Sequence, residues 1–349
     1  MGNKISEMRA AQNETQSMIQ SQNKKDHSLK LQQWLSASDP LTNYENAWPQ
    51  RHQGSGDWFL QSPEYSAWKR QQDSFLWLYG MPGCGKTILS STIIHELMGD
   101  PSGSEDLVVR LECNVEGRGR KSINNDEADT QTPTKKQKNN HGVATSMSER
   151  QETHQPDLRS KDICLYFYFD FTDNRKQSLE NMLRSLISQL YSKSKDLESD
   201  LCSLYSSCND GNRQPSTESL RRTFLNMVEK AGEVWIIIDA LDECQTRKGN
   251  LNKGLLGWME SLRSSKDVNI HFLVTSRPEQ DIQSAIQKWA CRTDTSIATL
   301  SMENDRTAKD IQYYVRATVT QSKGLERWHS RPDIQQEIQT TLTDKAHGM

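Results

Sequence analysis

The chain has 349 residues, enough for one large domain or two smaller ones. Its apolar fraction of 34% is low for a fully globular chain, and its net charge of −3 gives no bulk electrostatic case for nucleic acid. No apolar run approaches the roughly 20 residues of a membrane-spanning helix and no secretory leader is legible, while seven cysteines without a C-x-x-C pair fit a reduced, cytoplasmic protein.

Residues 1–44, rich in Gln, Asn, Ser and Lys, read as a polar tail or a weak, solvent-facing helical lead-in. The start "MGNKIS" fits M-G-x-x-x-[ST], so Gly2 is a candidate myristoylation site, and membrane contact is expected only if Gly2 is acylated. Tryptophans recur from Trp34 to Trp68 among turn residues, which places the onset of packing there. Residues 74–79 predict a short buried strand. Residues 86–98 then predict a helix that turns Ile88, Leu89, Ile93, Ile94 and Leu97 mostly to one face.

From 99 to 161 the chain offers almost nothing to bury and reads as a disordered insertion, its "GRGRK" and "KKQK" clusters being solvated. Order returns with a strand over 162–171 and a helix carrying Leu179, Met182, Leu183, Leu186, Ile187 and Leu190. Cys202 and Cys208 read as helical residues rather than a disulfide or metal pair. A helix through Leu220, Phe224, Met227 and Val228 precedes the run "VWIIIDA", as expected of a strand covered on both faces. A helix at 255–262, a strand at 269–276, a weaker strand near 297 and two C-terminal helices complete the pattern. Strands alternating with amphipathic helices predict an α/β fold with a mostly parallel sheet.

The segment Gly80-Met81-Pro82-Gly83-Cys84-Gly85-Lys86-Thr87 satisfies G-x-x-x-x-G-K-[ST] without substitution. Glycines let successive backbone N–H groups converge on phosphate oxygens, and the following helix adds its N-terminal dipole. The candidate nucleotide-binding set is Gly80, Pro82, Gly83, Cys84, Gly85, Lys86, Thr87 and Ile88, with Lys86 bridging β- and γ-phosphates. Thr87 would bind Mg²⁺ together with Asp239, at the C-terminal end of the "VWIIID" strand. Asp242 and Glu243 follow at a spacing suited to orienting or deprotonating an attacking water. Arg277, at the end of "HFLVTSR", supplies a cation for the γ-phosphate.

With these elements in order, the chain resembles a NACHT-type NTPase of the STAND class. The likeness is to fungal NLR-like receptors whose core is also described as nephrocystin-like, carried by "LWLYGMPGCGKT", "YFYFDFTD", "IIIDALDEC" and "FLVTSRP". The resemblance implies a three-layer P-loop NTPase domain over 45–300, followed at 301–349 by the start of a helical subdomain. It also implies an Asp239 strand beside the cradle strand, and a wall for the base pocket near Arg51 to Trp58. A small residue such as Ala240 between the metal aspartate and the acidic pair fits the family pattern. The function implied is a signalling switch that binds ATP or GTP with Mg²⁺, hydrolyses slowly or not at all, and self-associates through the NTPase domain. The winged-helix part and the repeats usual in such receptors are not legible, so a truncated, non-catalytic interaction fragment is one alternative. A P-loop small-molecule kinase is the other.

Overall fold

The structure is a computed structural model that describes residues 2–99, 163–249, 254–291 and 296–346. The insertion expected at 99–161, with its basic clusters, lies outside the described residues from residue 100 onward.

Among the described residues, five strands form one parallel sheet: β1 (Phe75–Tyr79), β2 (Ile163–Tyr168), β3 (Glu233–Asp239), β4 (Asn269–Ser276) and β5 (Ile297–Ser301), in the order β2-β3-β4-β1-β5. The short apolar runs explain why β1 to β4 lie inside. "FLWLY" and "IIID" have no polar alternation, so both faces must be covered to keep them from water. The expected Asp239 strand beside the cradle strand is not what the chain forms. β4 lies between β1 and β3, pairing Phe75 with Phe272 on one side and Ile236 with Phe272 on the other. The strand read over 162–171 ends at Tyr168, because Asp170 begins a turn closed by Asp170 N–H donation to Lys176 O.

Parallel register puts Leu165, Ile236, Phe272 and Phe75 on the same face, and this row joins one continuous core. Packed on it are α6 (Leu179–Lys193), α8 (Thr217–Ala231), α9 (Leu255–Arg263) and α10 (Gln280–Ala290). In α8 the buried residues Leu220, Thr223, Phe224, Met227 and Val228 recur at helical spacing, so one stripe faces the sheet and the rest faces water. The N-terminal residues begin not as a tail but as helix α1 (Gly2–Leu35), whose Leu31, Trp34 and Leu35 enter this core. Between α6 and α8 lies α7 (Glu198–Ser207), on which Cys202 is a free thiol, as is Cys208 just beyond it.

The other face carries Leu76, Leu78, Tyr166, Tyr168, Ile237 and Leu273, all buried. Helix α5 (Lys86–Met98) crosses it, and Ser91 Oγ meets the Tyr168 hydroxyl at 2.8 Å. Leu89, Ile93 and Ile94 are buried as the spacing predicts, but Ile88 and Leu97 are only half-buried. Ser90, Ser91 and Thr92 take the buried positions instead: Ser90 and Ser91 find Asp239 and Tyr168 in the sheet, and Thr92 donates to Ile88 O of its own helix. Short helices α2 (Leu41–Ala47), α3 (Asp57–Leu60) and α4 (Pro63–Arg70) lead into β1, and the Trp68 indole N–H donates to Phe272 O at 2.8 Å.

Helix α6 starts at a side-chain cap: Ser178, with extended backbone, accepts from Asn181 N–H at 3.2 Å. Ser178→Ala is expected to cost about 1 kcal/mol. The check is a lower urea midpoint with an unchanged denaturant slope. Beyond the sheet, α11 (Asp305–Gln321) and α12 (Pro332–Ala346) pack against each other. No helix among the described residues is long and apolar enough to cross a membrane.

Candidate functional site

The loop from Gly80 to Gly85 leaves the C-terminal end of β1 and runs directly into α5. Gly80 N–H still donates to Ser276 O at 3.2 Å, so the loop departs from a fixed edge. Gly83 and Gly85 have φ of +82° and +89°, a region where an L side chain is strained. Their positions let the loop curl over the N-terminus of a 13-residue helix whose first N–H groups lack intrahelical partners. The lysine closes the loop on itself, Lys86 Nζ donating to Gly80 O and Met81 O, each at 2.8 Å. Pro82 is exposed, whereas Cys84 and Lys86 are half-buried. Burial pushes the Cys84 thiol above its ordinary value, against the opposing pull of the Lys86 ammonium.

Asp239, at the end of β3, is only 2% exposed. Its carboxylate accepts three hydroxyls: Thr87 at 2.8 Å, Ser90 at 2.7 Å and Thr275 at 2.7 Å. This is how α5 reaches past β4 to β3, and how the missing strand adjacency is bridged. Thr275 Oγ1 also accepts from Ala240 N–H at 3.0 Å. Burial raises the Asp239 carboxyl above the usual carboxylate range, with the three hydroxyls and Lys86 pulling the other way. A buried carboxylate held only by hydroxyls carries charge that a cation would neutralise.

The chain then turns through Ala240, whose φ of +54° is unusual for a residue with a side chain. The small Cβ keeps this strained turn tolerable, and the turn aims the next residues back across the sheet edge. Asp242 accepts from Arg277 N–H at 3.0 Å and from Arg277 Nε at 2.8 Å, and the Asp242 carboxylate is 5% exposed while Arg277 is 46% exposed. Glu243 Oε2 accepts from Phe171 N–H at 2.9 Å. Burial raises the Glu243 carboxyl, and the nearby Asp242, Asp170 and Asp239 charges add to the shift. The two acidic residues therefore sit differently, with Asp242 tied to the arginine and Glu243 to the Phe171 backbone.

Beside the loop lies a cavity of about 220 Å³. Gly83, Gly85 and Ile88 line one side, and His52 and Trp58 line another, so the 52–58 segment borders the glycine-rich loop. The third side comes from α11, through Thr307, Asp310 and Tyr314. No local motif marks these three residues, which follow the loop by more than 200 positions. Ser90 was legible in principle, since it lies one turn beyond Thr87 on the same helical face. Gly2 opens α1. No cluster of three or more metal-ligating His, Cys, Asp or Glu occurs among the described residues.

A family model described as "Nephrocystin 3, N-terminal" matches residues 54–125 and 143–277, more than half of the chain. No curated protein matches it.

Proposed function

Because the chain belongs to the nephrocystin 3, N-terminal, family, we propose that it is a nucleotide-binding switch of P-loop, NACHT type. On this reading it takes ATP or GTP with Mg²⁺ and hydrolyses it slowly. The observation that carries the reading is the meeting of Thr87 and Asp239. These residues are 152 apart in the chain, yet hydroxyl and carboxylate lie 2.8 Å apart directly beneath a glycine-rich loop. A hydroxyl and one carboxylate, completed by phosphate oxygens and water, is the hard-oxygen donor set Mg²⁺ accepts. The metal, when bound, would supply charge neutralisation at the β- and γ-phosphates.

The chain's own groups divide the remaining work. Backbone N–H groups of 83–87 bind phosphate oxygens, and Lys86 exchanges its two loop carbonyls for them. Glu243, with its raised affinity for a proton, takes one from the attacking water. Arg277 is held by Asp242 and turns to the terminal phosphate only when that pair opens. This competition favours slow turnover.

The test is phosphate release from the purified chain with Mg²⁺ and ATP or GTP. Release at roughly 10⁻⁴–10⁻² s⁻¹, the range of unassisted switch NTPases, is expected. Glu243→Gln should keep nucleotide affinity and slow release at least about a hundredfold. Rapid transfer of phosphate to a small-molecule acceptor would overturn the switch reading in favour of a kinase.

A further inference from the structure

Among the described residues lining the cavity beside the glycine-rich loop, one buried side-chain polar atom has no partner. Thr307 is 5% exposed, lines the cavity, and its hydroxyl makes no hydrogen bond. Its position in the first turn of α11 does not require a threonine there. Asn304 already caps that turn, accepting from Arg306 N–H and Thr307 N–H at 3.0 and 2.9 Å. A buried hydroxyl left unpaired costs stability, so a ligand edge that completes it gains more than an exposed contact would.

The rest of α11 is arranged around the same space. Thr307, Asp310, Ile311 and Tyr314 recur at helical spacing and all border the cavity. Asp310 Oδ2 accepts from Ser55 Oγ at 3.3 Å, Gly56 N–H at 2.8 Å and Trp58 Nε1–H at 3.2 Å. This carboxylate holds the 55–58 wall against α11, leaving the buried Thr307 hydroxyl open to a ligand. The half-buried Trp58 and exposed Tyr314 give the space the flat aromatic borders that suit a planar ring.

We infer that Thr307 is the residue that reads the base of a nucleoside triphosphate whose phosphates lie on the 80–87 loop, with Asp310 as the positioning residue for the facing wall. This inference rests on the nucleotide-binding reading above. It adds an element outside the matched family segments, which end at residue 277.

The experiment compares binding of ATP, GTP and inorganic tripolyphosphate, each with Mg²⁺, by the full chain and by Thr307→Val, Thr307→Ser and Lys86→Ala. Thr307→Val removes the unpaired hydroxyl, so without ligand its melting temperature is expected to equal or exceed that of the parent. Its affinity for the better-bound nucleotide should fall about five- to tenfold, with tripolyphosphate affinity unchanged. Thr307→Ser should retain nucleotide affinity. Unchanged nucleotide affinity in Thr307→Val, while Lys86→Ala loses it, overturns the base-reading role and leaves the phosphate site standing. Failure of the parent chain to bind any of the three overturns both.

Discussion

Lys86→Ala is expected to lose nucleoside triphosphate affinity by at least about a hundredfold while the protein stays folded. The magnitude follows from two charge-assisted hydrogen bonds to phosphate, each worth roughly 1.5–3 kcal/mol. The intact fold follows from the present partners of the lysine. Its ammonium is bonded to the carbonyls of Gly80 and Met81 at a half-buried loop, and water can replace it at both. Its hydrogen bonds all stay within the loop, none going to a side chain of the sheet core. Equilibrium binding beside a thermal melt checks both halves, and an unfolded variant would show that the lysine holds the loop rather than the ligand.

Asp239→Asn is expected to separate stability from function. Burial raises the wild-type carboxyl's pKa in the folded protein, outweighing the three hydroxyls and Lys86 that pull it down. Such a group contributes stability that is fully present below the ordinary carboxylate range near about 4 and is lost as pH rises through the raised folded value. An amide does not titrate, and it can still accept hydroxyls through its oxygen and donate through its nitrogen. Without ligand, the variant should therefore melt at or above the wild type at neutral pH, with the gap closing as pH falls toward 4. Mg²⁺-dependent nucleotide affinity should fall at least about ten- to a hundredfold, as when the ligand set of a metal is disturbed. Melting curves between pH 4 and 8, with and without Mg²⁺–ATP, test both parts. A variant less stable than wild type at neutral pH would mean that the ionised carboxylate is a net support of the fold.

The elements that carry local information were legible from the residues alone. β4 runs from Asn269 to Ser276 and α5 from Lys86 to Met98 as their patterns require, since each element's apolar or capping residues lie within it. The glycine-rich loop was legible for the same reason, its eight residues being contiguous. Sheet order was not. Chain order says which strands follow one another, but β4 reaches the centre of the sheet only through long-range pairing with β1 and β3. The hydroxyl run Ser90-Ser91-Thr92 misled the helical-face reading, because polar residues score as solvent-facing whereas these point at Asp239, Tyr168 and their own helix.

The ion pair of Asp242 with Arg277 was equally hidden. Their spacing points each of them to phosphate or water, and only their convergence from the ends of β3 and β4 makes them partners. The α11 wall was the least accessible part. Thr307 and Asp310 are ordinary helix residues by sequence, and their roles arise from where α11 lies against the 55–58 segment.

The most direct test of the account is a calorimetric titration of the wild-type chain with ATP and with GTP, in the presence and absence of Mg²⁺. The account predicts saturation at one site per chain, at least about tenfold tighter with Mg²⁺. Absence of binding by protein shown to be folded, or binding indifferent to Mg²⁺, would contradict the assignment of the 80–87 loop, Thr87 and Asp239 to a metal–nucleotide complex.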